Sequence, residues 1–380
     1  MFIRVSLSFF VVLLLLTSCK QTSNENNTSQ TKIKKPEYAK GFLVEDYKTY
    51  KVLYILQPYT DKKDTLRYIL AKERSQIPKE LQKLPFIKTP IQRIVTTSTT
   101  HLALLEALEG LDVLVGANSL DYVFSSKIQQ KIIKNNVIKL ADQTVEVEKI
   151  LVLKPDLVMV SGMESSRMPN YEKIINAGIP VFINSEWLEQ NPLGKAEWIK
   201  IMGLLLGKEE QADEFFKNVA GKYLRIKEQA SKVQNKKSIA AGVPYKDTWY
   251  VPAGESFGSV FLKDAGAQYI FSDTKGTASL QMTKEAVFDK FADADVWLNA
   301  EPPMQIGNTF FCDYQKFKSV KTKQIYDRQN RLSNNGGNDY WESGVIHPEW
   351  VLSDLVKILY PEILPQEPLH YYRKIEVNCK

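Results

Sequence analysis

The hydrophobic pattern of the chain contains one block that occurs twice. Residues 148–162, EKILVLKPDLVMVSG, combine a short helical run, a proline and an unbroken apolar run at 157–160. Pro155 ends the helix because the residue before a proline is pushed out of the helical region. A run that is apolar on both faces favours a buried parallel strand. Residues 285–299, EAVFDKFADADVWLN, repeat this order and predict a second such strand at 296–298.

The predicted elements that precede each copy of the block also occur in the same order in both halves of the chain: a strand, a helix, a glycine and a second strand. The first series is 94–97, 101–108, Gly110 and 113–115, and the second is 238–243, 259–265, Gly266 and 268–271. Alternating strands and helices are typical of a mainly parallel sheet, and crossover handedness restricts each series to a doubly wound layout. The pattern therefore predicts an α/β protein with two Rossmann-like lobes, at 91–190 and 236–380.

A long amphipathic helix is predicted in the linker between the lobes, at 191–235. Residues 208–233 place apolar side chains at alternating steps of three and four, which is the spacing of a helix with one buried face. At 1.5 Å per residue this helix would be about 39 Å long. We expect one long rigid α-helix that joins the lobes, and a coiled-coil partner helix is the alternative.

The first ninety residues indicate export, anchoring and a small extra domain. Residues 7–16 form an apolar run that is too short to span a bilayer and is typical of a signal peptide at 1–18. Leu-Thr-Ser-Cys at its end resembles a bacterial lipobox, which predicts lipidation of Cys19; an ordinary secretory signal is the alternative. Residues 19–38 are polar and predict a flexible tether, and residues 39–90 predict a small β extension.

Composition excludes several classes of function. Charged residues make up 25% of the chain and the net charge is +6, but no dense basic run is present, so we expect no nucleic acid partner. His101, His347 and His370 are far apart in sequence, which disfavours a histidine-built metal site. We identify no histidine paired with a plausible nucleophile, and so expect no catalytic residues of the hydrolase type. Cys312 and Cys379 could form one disulfide, and the sequence leaves their pairing open.

Together, these patterns resemble the solute-binding proteins of ABC transporters, in the ferric siderophore and cobalamin class. The resemblance covers about 91–364 and rests on 93–117, 148–162, the linker helix and 282–298. It implies a monomeric, lipid-anchored protein of the cell envelope that faces the periplasm and has no cofactor of its own. It also implies an ABC permease with its ATPase as partners, and an iron complex, haem or cobalamin as ligand. A tetrapyrrole chelatase-like enzyme and a scaffolding envelope lipoprotein are the alternatives.

The candidate ligand site follows from strand direction, because open α/β sheets bind ligands beyond the carboxyl ends of their strands. The candidate ligand-binding residues on these loops are Thr97, Ser98, His101, Tyr122, Arg167, Trp187, Tyr245, Trp249, Tyr250, Tyr340 and Trp341. Aromatic rings suit a flat or macrocyclic chelate, and Arg167 suits a carboxylate, phosphate or catecholate. Each candidate has an alternative interpretation. The aromatic residues could serve local packing, His101 could be a residue at the start of a helix, and Arg167 could be an ordinary surface charge.

Two glutamates occupy matched positions in the repeated block. Glu148 and Glu285 each lie in the first turn of a predicted helix, where a carboxylate complements the helix dipole. The resemblance implies a further role, in which each glutamate pairs with arginines on one permease subunit. The dipole explanation is the alternative.

Overall fold

The computed structural model describes residues 32–302 and 306–379 of the chain. The predicted signal peptide, Cys19 and most of the predicted tether lie outside these residues. The described part is an α/β protein with two lobes, a helical linker between them and an N-terminal sheet, as the sequence predicts.

The N-terminal extension is a five-stranded sheet in sequential order. Its strands are β1 Lys32–Lys34, β2 Phe42–Asp46, β3 Tyr50–Ile55, β4 Leu66–Ala71 and β5 Phe86–Lys88. The pairs are antiparallel except for β4 and β5. One face packs on the linker, where the ring of Phe42 meets the ring of Trp198 edge-on at 5.3 Å. The predicted β extension is therefore confirmed, and it shares a hydrophobic core with the rest of the protein.

The first lobe is a parallel sheet in the order β10-β9-β6-β7-β8. Its strands are β6 Ile94–Thr96, β7 Leu114–Ala117, β8 Ile138–Lys139, β9 Leu157–Ser161 and β10 Val181–Asn184. Its helices are α1 Thr99–Ala107, α2 Ser126–Lys134, α3 Val147–Leu153 and α4 Glu172–Asn176. Four of the five residues of β9 are buried, as the apolar run at 157–160 predicts. The strand order reverses between β6 and β9, so the loops that follow these two strands diverge there.

The linker contains three helices, α5 Pro192–Glu197, α6 Ile199–Leu206 and α7 Glu209–Ser231. The predicted long helix is confirmed as α7, which has 23 residues. Its first residue, Glu209, contacts Lys51 of the extension at 3.3 Å, and Tyr223 donates to Asp264 of the second lobe at 2.8 Å. The pattern did not predict α6, because its residues are almost all buried and give no polar face.

The second lobe contains three sheets. A parallel sheet has the order β14-β11-β16 and an antiparallel sheet the order β12-β13-β15, while β17 pairs with β18. The strands are β11 Ser238–Ala241, β12 Pro244–Tyr245, β13 Thr248–Pro252, β14 Gln268–Tyr269, β15 Ser279–Thr283, β16 Val296–Leu298, β17 Tyr326–Asp327 and β18 Arg373–Lys374. The helices are α8 Phe257–Asp264, α9 Lys284–Phe291, α10 Lys318–Lys321, α11 Asp339–Glu342 and α12 Pro348–Leu359. Residues 244–250, which were expected to be a cleft loop, instead form the β12–β13 hairpin.

A disulfide joins Cys312 to Cys379 with Cα atoms 5.5 Å apart, so the pairing that the sequence left open does form. The two cysteines are 67 residues apart. For a loop of this length, the chain-entropy model gives a stabilisation of about 4 kcal/mol. The bridge ties the end of the described chain to the second lobe.

Candidate functional site

The first lobe has a recess at the carboxyl ends of its strands. It has a volume of about 240 Å³, and its wall includes Thr97, Asn118 and Gly162, which follow β6, β7 and β9. It therefore lies at the point where the strand order reverses, where open α/β sheets bind ligands. Thr97 is oriented by the backbone, because its hydroxyl accepts a hydrogen bond from the Ser161 amide at 3.2 Å.

Arg167 stands on the wall of this first-lobe recess. It lies in the 3-10 turn Ser165–Tyr171, and it is exposed. Among the residues that the structure describes, its guanidinium has no hydrogen-bond or ion-pair partner. An arginine in that state can bind an oxyanion without first breaking an internal pair.

The second lobe has a larger recess of about 640 Å³. Gly242 and Val243, which follow β11, and Asn299 and Glu301, which follow β16, form its floor. Here too the strand order reverses between the two strands, so the recess is the counterpart of the first one. The Asn299 side chain is fixed by the Tyr372 hydroxyl, which donates to its Oδ1 at 2.7 Å.

Arg328 lies in the second-lobe recess, and sequence reasoning missed it. Its Nε and Nη2 each donate to Glu301 at 2.7 Å. Its guanidinium also lies 5.0 Å from the ring of Tyr340 and 4.9 Å from that of Trp341. Burial disfavours the charge of Arg328, but the hydrogen bonds to Glu301 and the electrostatic interactions with Tyr340, Glu301 and Tyr372 together outweigh burial and hold its pKa above the ordinary value. Arg328 follows β17, a strand of two residues that is too short to give a sequence pattern.

Trp187 of the first lobe completes the wall of the second-lobe recess. The recess therefore lies between the lobes. The indole Nε1 of Trp187 donates to the Gly162 carbonyl at 3.1 Å, so its ring also adjoins the first-lobe recess. A Cβ on Gly162 would stand 3.1 Å from this nitrogen and 2.7 Å from the Ser185 hydroxyl, and the close approach therefore requires glycine. The two recesses adjoin at this contact, and we refer to them together as the interlobe cleft.

The structure brings six of the predicted site residues to the interlobe cleft. They are Thr97, Arg167, Trp187, Tyr250, Tyr340 and Trp341. Tyr122 and Tyr245 are exposed but line neither recess. Ser98 caps α1, with its Oγ accepting from the Thr100 amide at 3.2 Å. Contact of any of these residues with a ligand stays a prediction.

Two predicted ligand contacts are wrong, because His101 and Trp249 are both 0% exposed. Trp249 alternates with Tyr250 along β13, so one ring points into the core and the other into the cleft. The Trp249 ring stacks on Trp297 at 5.7 Å, and its Nε1 donates to the Ala241 carbonyl. His101 faces the core from α1, and burial lowers its pKa to about 3. It is therefore neutral at physiological pH.

A buried carboxylate joins the lobes near the cleft. Glu342 of α11 is 2% exposed, and it accepts hydrogen bonds from the Phe124 amide at 2.7 Å and the Ser125 amide at 2.9 Å. Gly337 lies against the Tyr122 carbonyl, where a Cβ would stand at 2.0 Å. Burial raises the pKa of Glu342 to about 7, since the two amide hydrogen bonds only partly offset the loss of hydration.

The two candidate docking acids lie outside the cleft residues. Glu148 and Glu285 are both exposed, each in the first turn of its helix, α3 and α9. They therefore have matched positions in the two lobes, as the repeated block predicts. Their role toward a permease stays a prediction.

Comparison with known proteins identifies relatives that share this architecture. Residues 94–331 match the model of a periplasmic binding protein family. An uncharacterized lipoprotein of Methanocaldococcus jannaschii is 26% identical over 307 residues, which cover 77% of this chain and 70% of the relative. An uncharacterized ABC transporter substrate-binding lipoprotein of Bacillus subtilis is 24% identical over 279 residues, covering 73% of this chain and 82% of the relative.

A solved structure with the same fold comes from Staphylococcus epidermidis. It is described as a possible iron-binding, periplasmic solute-binding protein, and it is 17% identical with a TM-score of 0.54. The match covers 72% of this chain and 100% of that one. In the part of the chain that the structure describes, no helix has the length and apolarity needed to cross a bilayer.

The raised pKa of Glu342 predicts a pH-dependent contribution to stability. Below pH 4.5, the unfolded pKa of Glu342, the side chain is protonated in both states and its burial costs no ionisation free energy. As the pH rises from 4.5 through about 7, the unfolded state ionises more readily than the folded state, and the folded protein loses stability. The full cost is about 3 kcal/mol, at 1.36 kcal/mol per pKa unit. Glu342→Gln, which has the shape of the protonated acid, should therefore gain stability relative to the native protein when pH rises from 5 to 8.

Urea unfolding of both proteins at pH 5, 6.5 and 8 measures this difference. Glu285→Gln is the matched control, because Glu285 is exposed and its variant should track the native protein at every pH. If the difference in unfolding free energy between Glu342→Gln and the native protein is the same at all three pH values, the raised pKa is contradicted.

Proposed function

The chain belongs to the periplasmic binding protein family, a family of non-enzymatic solute-binding proteins, and we propose that it captures an iron complex or cobalamin for an ABC importer. The observation that carries this proposal is the interlobe cleft, in which one recess contains Arg167 and the adjoining one contains Arg328 and aromatic rings from both lobes. The Bacillus subtilis relative supports the transporter class, and the Staphylococcus epidermidis structure supports an iron-containing ligand.

The size and lining of the cleft favour a ligand of chelate size. The recess volumes of about 640 Å³ and 240 Å³ together fall in the range of pockets that enclose drug-sized molecules. Trp187, Tyr250 and Trp341 are each between 43% and 58% exposed. Such rings present a flat apolar surface that loses water when a planar or macrocyclic ligand covers it.

Arg167 gives the cleft one site for an anionic oxygen, although Asp142 and Glu146 line the same recess. Arg328 is neutralised by Glu301, with two hydrogen bonds of 2.7 Å. Arg167 has no such partner in the described residues, so the first lobe contributes a free positive charge. Catecholate, carboxylate and propionate oxygens are suitable acceptors for a guanidinium. A ferric siderophore or haem can supply such oxygens to Arg167.

Quenching of tryptophan fluorescence tests the proposal. The mature protein is titrated with a ferric tris-catecholate, a ferric hydroxamate, haem and cyanocobalamin, and we expect saturable quenching by one of them. Trp341→Ala should weaken that binding about tenfold through lost ring contact, and Arg167→Ala about 10- to 100-fold if the ligand is anionic, since a hydrogen bond to a charged group contributes about 1.5–3 kcal/mol.

The matched control is Tyr245→Ala, because Tyr245 is exposed but lines neither recess. Its affinity should equal that of the native protein. If none of the four compounds quenches the native protein, the chelate proposal fails and a scaffolding lipoprotein becomes the better explanation.

The second part of the proposal concerns the permease. Glu148 and Glu285 are placed to meet two basic sites on a pair of permease subunits, one for each lobe. A single exposed ion pair contributes little, but two at a fixed separation set the register and speed encounter. Glu148→Arg with Glu285→Arg should leave ligand affinity and folding unchanged and abolish ligand-stimulated ATPase activity of the transporter in proteoliposomes.

Glu80→Arg with Glu214→Arg is the control for the docking test. It makes the same change of charge at exposed residues of the extension and of α7. It should keep full ATPase stimulation. Normal stimulation by the Glu148 and Glu285 double variant would leave only the helix-dipole explanation for these acids.

The third part concerns location. The two relatives above are lipoproteins by description, and Cys19 ends a lipobox-like tetrapeptide. We expect the mature chain to be anchored to a membrane of the cell envelope, facing the periplasm, by lipid on Cys19. Cys19→Ala should lose incorporation of labelled palmitate, while Cys312→Ser should keep it; labelling of the Cys19→Ala protein would exclude this anchor.

A further inference from the structure

The N-terminal extension reaches the interlobe cleft through residues 56–65, the loop between β3 and β4. Tyr59 of this loop pairs with Met163 in an isolated parallel bridge, and the Thr60 amide donates to the Met163 carbonyl at 3.2 Å. The Ser185 hydroxyl donates to the Pro58 carbonyl at 3.2 Å. Tyr59 itself is buried in the core of the first lobe. The loop therefore pairs through its backbone with the segment that follows β9.

One side chain of this loop ends on the turn that carries Arg167. The two carboxylate oxygens of Asp61 accept hydrogen bonds from the Ser165 amide at 2.8 Å and the Ser165 hydroxyl at 2.7 Å. These bonds lower the pKa of Asp61 below its ordinary value. Asp61 is therefore ionised at neutral pH.

Asp61 supplies a hydrogen-bond acceptor that the start of the turn Ser165–Tyr171 lacks. The turn Ser165–Tyr171 begins after Glu164, and no side chain at that position caps it. The free amides at the start of a helical turn need acceptors, and Asp61 provides one from a residue 104 positions earlier. Arg167 is two residues further along, and its own amide closes the turn on the Glu164 carbonyl at 3.0 Å.

We propose that Asp61 is a positioning residue for ligand binding, and that the extension, by holding the turn 165–171, presets Arg167 for an anionic ligand. This inference rests on the proposed function and assigns a role to the 39–90 extension. A turn whose backbone is already fixed loses less conformational freedom when its arginine binds a ligand than a mobile turn does. Because Asp61 is exposed, its bonds order the turn without adding much to the stability of the whole protein.

The first test measures order in the ligand-free protein, and so does not depend on the identity of any ligand. Hydrogen–deuterium exchange of a peptide that covers 162–171 is compared between the native protein, Asp61→Ala and Asp64→Ala. Asp64 is the matched control, since it lies in the same loop but pairs with Lys62 at 3.2 Å and accepts from the Thr65 amide. We expect at least tenfold faster exchange in Asp61→Ala alone and an intermediate rate in Asp61→Asn, which keeps one acceptor oxygen.

The second test measures binding with ferric tris-catecholate as the anionic probe. Asp61→Ala should weaken binding about tenfold, and Asp61→Ala with Arg167→Ala should bind as weakly as Arg167→Ala alone, because Asp61 acts through the arginine. The melting temperature should not change. Additive losses of affinity, or a 162–171 exchange rate that Asp61→Ala leaves unchanged, would overturn the positioning role.

The two tests separate this inference from the proposed function. If the native protein binds no tris-catecholate but Asp61→Ala still accelerates exchange, the ligand class is wrong and the ordering of the turn stands. If binding is tight but exchange is unchanged, the ligand class stands and Asp61 has no positioning role.

Discussion

Two buried carboxylates, Glu189 at the end of the first lobe and Glu197 of the linker, hold the N-terminal extension in place. Glu197, fully buried on α5, accepts hydrogen bonds from the amides of Glu37, Tyr38 and Ala39 at 2.8 to 3.0 Å. Glu189 accepts from the amides of residues 40 and 41 and from the indole of Trp198. Buried carboxylates are tolerated only when hydrogen bonds or ion pairs replace their hydration. The extension is thereby fixed to the linker, and its 56–65 loop can reach the cleft.

The placement of the cleft depends on strand direction in both lobes. Each parallel sheet reverses its order beside its first strand, β6 or β11, and leaves a recess there. The lobes differ in the contacts of the arginine that lines each recess. In the second lobe Arg328 is neutralised and packed against aromatic rings, whereas in the first Arg167 has no partner in the described residues and stands on a turn that needs outside support. The cleft therefore combines a neutralised arginine packed on aromatic rings in one lobe with an unpaired arginine in the other.

Local pattern was enough to predict the lobes and the long helix, because β9 is apolar on both faces and α7 has a regular buried stripe. The pattern did not predict α6, because nearly all of its residues are buried and no polar face alternates with the apolar one. It also did not predict β17, because two residues are too few to form a pattern. Of the adjacent aromatic residues Trp249 and Tyr250, both were expected in the cleft, but a strand sends neighbours to opposite faces. Asp61 and Arg167 are 106 positions apart, and no local signal links them.

The attachment of residues 37–41 to the linker also defines how the protein bears a mechanical load. A pull on the chain from Lys32 would first peel β1, which has three residues and is exposed along its length. The force would then reach the amides held by Glu197 and Glu189, where several hydrogen bonds share it at once. It would pass into α5, between the two lobes, rather than into the extension sheet or the loop at the cleft. A load applied at Lys32 would thus leave the geometry of the binding cleft undisturbed.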